Sequence, residues 1–100
     1  MTLRIESGET QIRLIPSGEV DHEGAEALKS AVHGLPLGGK KAVVFDFSEV
    51  TYIGSAGLGK LLLFYKRLSS ERIEMRVEGA TAAIQALLRE LRLDTLFKIS

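Results

Sequence analysis

The sequence predicts an α/β fold: a mixed β-sheet in the order ββαβαβα with helices packed on one face. Three observations predict it. Strand-like alternation and helix-like spacing of apolar residues succeed one another along the chain, with Gly and Pro between the periodic segments. Ala42-Val43-Val44-Phe45 is continuously apolar, as in a central strand beside a parallel neighbour. Arg72 to Glu78 alternates strictly, so that one face of the sheet is buried and the other wet.

The elements follow in order. Leu3 to Glu6 alternates apolar with polar residues, Ser7-Gly8-Glu9 interrupts, and Ile12 and Leu14 resume the alternation; these runs predict a hairpin. Pro16 and Gly18 close its second strand. Asp21 is placed to cap a first helix, whose Ala25, Leu28, Ala31 and Val32 share one face and which stops at Gly34. The turn Pro36-Leu37-Gly38-Gly39 leads to the central strand, followed by Asp46 and Phe47. A second helix carries Leu58, Leu61, Leu62 and Tyr65 at i, i+3, i+4 and i+7, with Lys66 and Arg67 near its end, where cations suit the helix dipole. After the alternating strand, Thr81 caps a third helix bearing Ile84, Leu87, Leu88 and Leu91. The tail from Leu93 to Ile99 is apolar enough to dock but has no readable period. Strands alternating with helices imply parallel pairing, and the hairpin adds an antiparallel edge.

With 100 residues and no linker, repeat or low-complexity stretch, residues 1–100 form one domain. Apolar residues at 45% and charged residues at 26% mark a globular chain. A formal net charge of zero leaves no electrostatic footprint for nucleic acid. Without cysteine, disulfides and thiol catalysis are excluded. His22 and His33 have no second ligand spaced to share a metal, so no metal is expected. The start Met1-Thr2-Leu3-Arg4-Ile5-Glu6 is not a signal peptide, and the longest apolar run, Leu61 to Tyr65, is too short to cross a bilayer. A cytoplasmic protein without membrane insertion is the expectation.

The most pointed segment is Tyr52-Ile53-Gly54-Ser55-Ala56-Gly57-Leu58-Gly59-Lys60, at the start of the second helix. Gly54-x-x-x-x-Gly59-Lys60 satisfies most of a phosphate-binding P-loop expression, but Leu61 stands where a Ser or Thr would hold magnesium. Residues 48–53 also separate it from its strand. The plainer reading is that the glycines allow a tight turn and close helix packing. Ser55 is the only hydroxyl in the loop; it reads as an N-cap, or as a residue whose phosphate the helix start would favour. Asp46 with Glu49 and Asp21 with His22 are weak candidates for acid–base pairs. Lys40-Lys41 and Lys66-Arg67 read as solvated charges. Tyr52, Phe64 and Tyr65 read as core or groove contacts, since no basic cluster surrounds them. No catalytic residue and no cofactor is expected.

Phe45-Asp46-Phe47-Ser48-Glu49-Val50-Thr51-Tyr52-Ile53-Gly54-Ser55-Ala56-Gly57-Leu58-Gly59 resembles the STAS signature D-L-S-x-V-x-x-I-D-S-S-G-L-G. Ser17-Gly18-Glu19-Val20-Asp21 resembles the family's upstream G-E-L-D, and Leu93 to Ile99 resembles its usual ending. The resemblance spans nearly the whole chain in order. It implies an anti-sigma-factor antagonist that binds an anti-sigma factor and serine kinase of the histidine-kinase-like ATPase fold, in bacterial partner switching. The implied phosphorylation loop is Gly54, Ser55, Ala56 and Gly57. Gly54 stands where the family has an acidic residue, and Ala56 where it has the phosphoacceptor; alanine cannot be phosphorylated. The docking surface, placed at Asp21, Ser55, Ala56, Leu58 and Lys60, is expected at the carboxyl edge of the sheet. Soluble STAS subunits of lipid-trafficking ABC transporters also tolerate Ala at that position and are the alternative reading.

Overall fold

A computed structural model describes all 100 residues, Met1–Ser100. Strands β1 (Thr2–Ser7) and β2 (Gln11–Val20) form the antiparallel hairpin, closed where the Gly8 N–H donates to the Gln11 carbonyl at 2.8 Å. β2 serves two parallel partners in succession. Gln11–Leu14 pairs with β3 (Ala42–Asp46), and Ser17–Val20 pairs with β4 (Glu49–Ile53) on the same flank. The change-over falls at Pro16, which has no N–H to donate, and at Gly18, whose φ of +95° precedes a register shift at Glu19. β5 (Glu74–Glu78) lies parallel to β3, and β6 (Lys98–Ile99) lies parallel to β5. Helices α1 (His22–His33), α2 (Ser55–Ser70) and α3 (Ala82–Glu90) connect the strands, and a 3-10 turn at Leu93–Thr95 leads into β6.

The fold class agrees with the sequence reading, and two short strands are added to its ββαβαβα order. β4 buries only Val50 and Ile53, three residues apart, so it shows no two-residue period. β6 has two residues, too few for any period.

Register aligns Ile12, Val43 and Met75, and likewise Leu14, Phe45 and Val77, across one face. None of the six is more than 3% exposed. The helices cover this face with Leu28 and Val32 of α1, Leu61, Phe64 and Leu68 of α2, and Ile84 and Leu88 of α3, all in one core. Phe64 stacks on Phe45 with ring centroids 5.5 Å apart. The buried stripe of α2 is Gly57, Leu61, Phe64 and Leu68. The expected stripe was rotated by about one residue: Leu58 and Tyr65 pack only partly against the core, and Leu62 is exposed. In the apolar run Leu61 to Tyr65 every phase fits a helical period. Leu91 is also exposed, because it caps α3 and lies beyond its buried face.

The other face is wet and carries a charged ladder across three strands. Arg13 of β2 donates to Asp46 of β3 and to Glu78 of β5, each at 3.0 Å. Arg76 of β5 donates to Gln11 at 2.7 Å. Val44 lies in register between Arg13 and Arg76 and is fully buried, as expected where arginine stems lie along an apolar strand. Burial pushes the Asp46 carboxyl up. Hydrogen bonds from Ser48 and the Arg13 guanidinium outweigh it and hold Asp46 below its ordinary value of 3.8. A carboxylate lowered by folding adds stability above its unfolded pKa and loses it as pH falls through the folded one. Asp46→Asn is therefore expected to be less stable than wild type at neutral pH, with the difference shrinking as pH falls below about 4. Urea unfolding across that range measures it; a constant difference would remove Asp46 from the acid limb.

Candidate functional site

The site is built by strand ends. Val20 and Ile53 are paired neighbours in parallel strands, so the segments that follow them emerge at the same edge. The Gly54 N–H donates to the Val20 carbonyl at 3.0 Å and ties the two exits together. Asp21 then caps α1, its Oδ1 accepting the Gly24 N–H at 2.9 Å. This is the cap expected from sequence, and it occupies Asp21 structurally rather than in a dyad with His22.

Gly54, not Ser55, is the N-cap of α2, and no side chain caps that end. Ser55 is instead the exposed first residue of the helix, so its hydroxyl is not used as expected. The P-loop-like string from Gly54 to Lys60 is thus a helix cap and the first turns of a helix, not a phosphate-wrapping loop. α2 sits close over the strand ends: a Cβ on Gly57 would come within 2.8 Å of Ile53 and 2.9 Å of Val20. Gly57 is therefore a seat for the helix.

Between the starts of α1 and α2 lies an open cavity of about 300 Å³ lined by His22, Glu26, Ala56, Gly59, Lys60 and Leu63. Lys60 reaches across it to Glu26 at 3.3 Å, and this ammonium holds the Glu26 carboxyl below its usual range. The fold thus brings Asp21, Ser55, Ala56 and Lys60 to one edge. Leu58 sits in the same turn but packs partly against the core.

Asp46 and Glu49 are not a pair; Asp46 joins Arg13, and Glu49 joins Arg4 at 3.4 Å. Phe64 is core and Tyr65 is partly buried, as read from sequence, but Tyr52 is 52% exposed. Its ring lies over Gly54, with the hydroxyl 3.0 Å from where a Cβ there would stand. Among the side-chain carboxylates and imidazoles, no cluster of three or more is spaced to hold a metal ion. The largest cavity, about 600 Å³, is remote from this edge, beside the end of α2 and the start of β5, where Tyr65, Arg72, Ile73 and Phe97 line it. No helix is long and apolar enough to cross a membrane.

Residues 1–98 match the family model described as "Mlab, STAS domain". The fold is similar to that of an anti-sigma factor antagonist from Mycobacterium paratuberculosis, at 28% identity and TM-score 0.85, over 98% of this chain and 83% of that one. A Thermotoga maritima protein named as a candidate anti-sigma factor antagonist is similar at 22% identity and TM-score 0.88, over 97% and 84% of the two chains. The Bacillus cell-fate determinant SpoIIAA in its phosphorylated form is similar at 14% identity and TM-score 0.77, over 99% and 91%.

Proposed function

We propose that this chain, which belongs to the STAS domain family, is a cytoplasmic partner-switching regulator that docks an anti-sigma factor and serine kinase through the edge where α1 and α2 begin. The observation that carries the reading is the paired exit of β2 and β4, which sets Asp21, Ser55, Ala56 and Lys60 on one surface. These residues offer a partner a small uncharged centre at Ala56 and a polar rim, an arrangement suited to close contact. The function proposed is binding and not catalysis.

Ala56 lacks the hydroxyl that the family's switch uses, so the chain stays in its binding form. Incubated with such a kinase and ATP, wild type is expected to gain no phosphate at position 56, whereas Ala56→Ser gains one beside the uncapped N–H groups of α2. Phosphopeptide mass spectrometry reads the position. Phosphate on wild-type Ser55 would show that the switch lies one residue earlier, and no phosphate on Ala56→Ser would count against a kinase partner.

The same alanine favours a second reading, a soluble STAS subunit of a lipid-trafficking ABC transporter, in which the edge binds the transporter's ATPase without a phosphorylation cycle. Co-purification with a transporter ATPase in place of an anti-sigma factor separates the two readings.

A further inference from the structure

Strand β1 ends the sheet, and no strand pairs with its outer edge. Edge strands are commonly blunted by proline, lysine, a bulge or extreme shortness. At the other end of the sheet β6 has only two residues. β1 has none of these devices: it runs for 6 residues in unbroken register with β2, and its two charges, Arg4 and Glu6, are of opposite sign. The turn fixes which of its backbone groups face outward. The Gly8 N–H bonds to the Gln11 carbonyl, and the direction of bonding alternates along an antiparallel pair. Thr2, Arg4 and Glu6 therefore bond to β2, while Leu3, Ile5 and Ser7 hold their N–H and C=O groups toward solvent. Pro16 fits this parity, since it lies opposite Leu3, where no N–H is required. The Ile5 side chain is on the helix face, in register with the buried Leu14, yet it is 47% exposed, so no helix overhangs the edge there.

The sequence of β1 selects what can pair with it. When identical strands pair antiparallel about a two-fold axis, outward groups meet outward groups only if the axis passes through a residue. An axis at Arg4 sets Arg4 against Arg4 of the second copy, and an axis at Glu6 sets two glutamates together; like charges directly opposite destabilise a sheet. An axis nearer either end carries much of the strand past the end of its copy. An axis at Ile5 sets Arg4 opposite Glu6 of the second copy on both sides of it, in the non-hydrogen-bonded pairs whose side chains approach most closely. It also covers Ile5 with Ile5 of the second copy and bonds Leu3 to Ser7. Both charges are free to pair. Glu6 has no ion pair in the chain, because Arg13 beside it is directed to Asp46 and Glu78. Arg4 meets Glu49 at 3.4 Å through one Nη and keeps its other donors. We infer that a second copy of this chain adds to the β1 edge in this register, joining two sheets into one with all helices on the same face. The contact is separate from the edge where α1 and α2 begin, so it neither rests on the docking reading nor fails with it.

One strand pair is a small interface, so a weak dimer is expected, with a Kd of about 10–100 μM. Sedimentation equilibrium of the full chain from roughly 1 μM to 1 mM measures it. Ile5→Lys places two ammonium groups face to face at the axis. It should weaken association by about tenfold or more and leave the melting temperature unchanged, because Ile5 is half exposed. Glu6→Arg should weaken association comparably, and Arg4→Glu added to the same chain should restore it. The chain has no cysteine, so single cysteines report the register. Ile5→Cys sets its Cα about 5.5 Å from its copy, within disulfide reach, and should oxidise to a covalent dimer. Leu3→Cys lies roughly 13 Å from its copy and should not. A chain that stays monomeric throughout would overturn the inference and leave the edge to another protein's strand or to none. So would a dimer indifferent to Ile5→Lys, a double variant that regains no association, or Leu3→Cys cross-linking as fast as Ile5→Cys.

Discussion

Ala56→Asp is expected to bind the partner on the order of a hundredfold more weakly than wild type while melting near it. Ala56 is the second residue of α2, half-buried on the wall of the cavity between the helix starts. In the free chain an aspartate there is tolerated: the first turn of α2 holds no acidic residue, and a carboxylate at a helix N-terminus interacts favourably with its dipole. In the proposed complex the same carboxylate would be pressed into a desolvated contact. Its natural cation, Lys60, is already committed to Glu26. An unpaired buried charge costs several kcal/mol, and every ~1.4 kcal/mol is tenfold in affinity. Calorimetry with the purified partner, alongside thermal unfolding of the free chain, separates lost binding from lost fold. Equal affinity for the two proteins would place the interface elsewhere and leave partner switching without its surface.

The parts of this surface were not equally legible in the sequence. Asp21 and Thr81 declared themselves as caps because an N-cap needs only a short acceptor ahead of a helical period, and each accepts one such bond, from the Gly24 and Ile84 N–H groups. The wet face of β5 was legible because each polar residue there alternates with a buried one. The tie between β2 and β4 was not, because β4 buries Val50 and Ile53 out of period and its pairing partner is the bulged end of a strand that also serves β3. The phase of α2 was hidden by the leucines that surround it. Only contact with Phe45 and with the ends of β2 and β4 selects Phe64 and Gly57 over Leu62 and Leu58. Tertiary packing decided these positions where periodicity could not. The exposed Tyr52 and the open side of Gly59 belong to the same class, since each is defined by what does not cover it.

The two glycines of α2 give opposite expectations when filled. At Gly57 a new Cβ meets Ile53 Cγ1 at 2.8 Å, Val20 Cγ1 at 2.9 Å and the Val20 carbonyl at 3.1 Å. Val20 is fully buried and Ile53 is 5% exposed, so neither has space to retreat into. Gly57→Val must lift the start of α2 off β2 and β4 or displace both side chains. Overpacking of this kind costs about 3 kcal/mol at the upper end of its usual range. For a domain of this size each kcal/mol lowers the melting temperature by about 4–8 °C, so a fall of roughly 12–24 °C is expected. Because the lift would also separate Gly54 from Val20, partner binding should weaken even where the variant remains folded. At Gly59 the Cβ meets nothing, and Gly59→Ala removes the entropic penalty of glycine in a helix, worth about 0.5–1 kcal/mol. Its melting temperature should rise by several degrees. Calorimetric melting of the three proteins side by side tests the geometry directly. A Gly57→Val protein as stable as wild type would mean that α2 does not seat on the paired ends of β2 and β4, and the edge that aligns Asp21 with Ala56 would lose its structural basis.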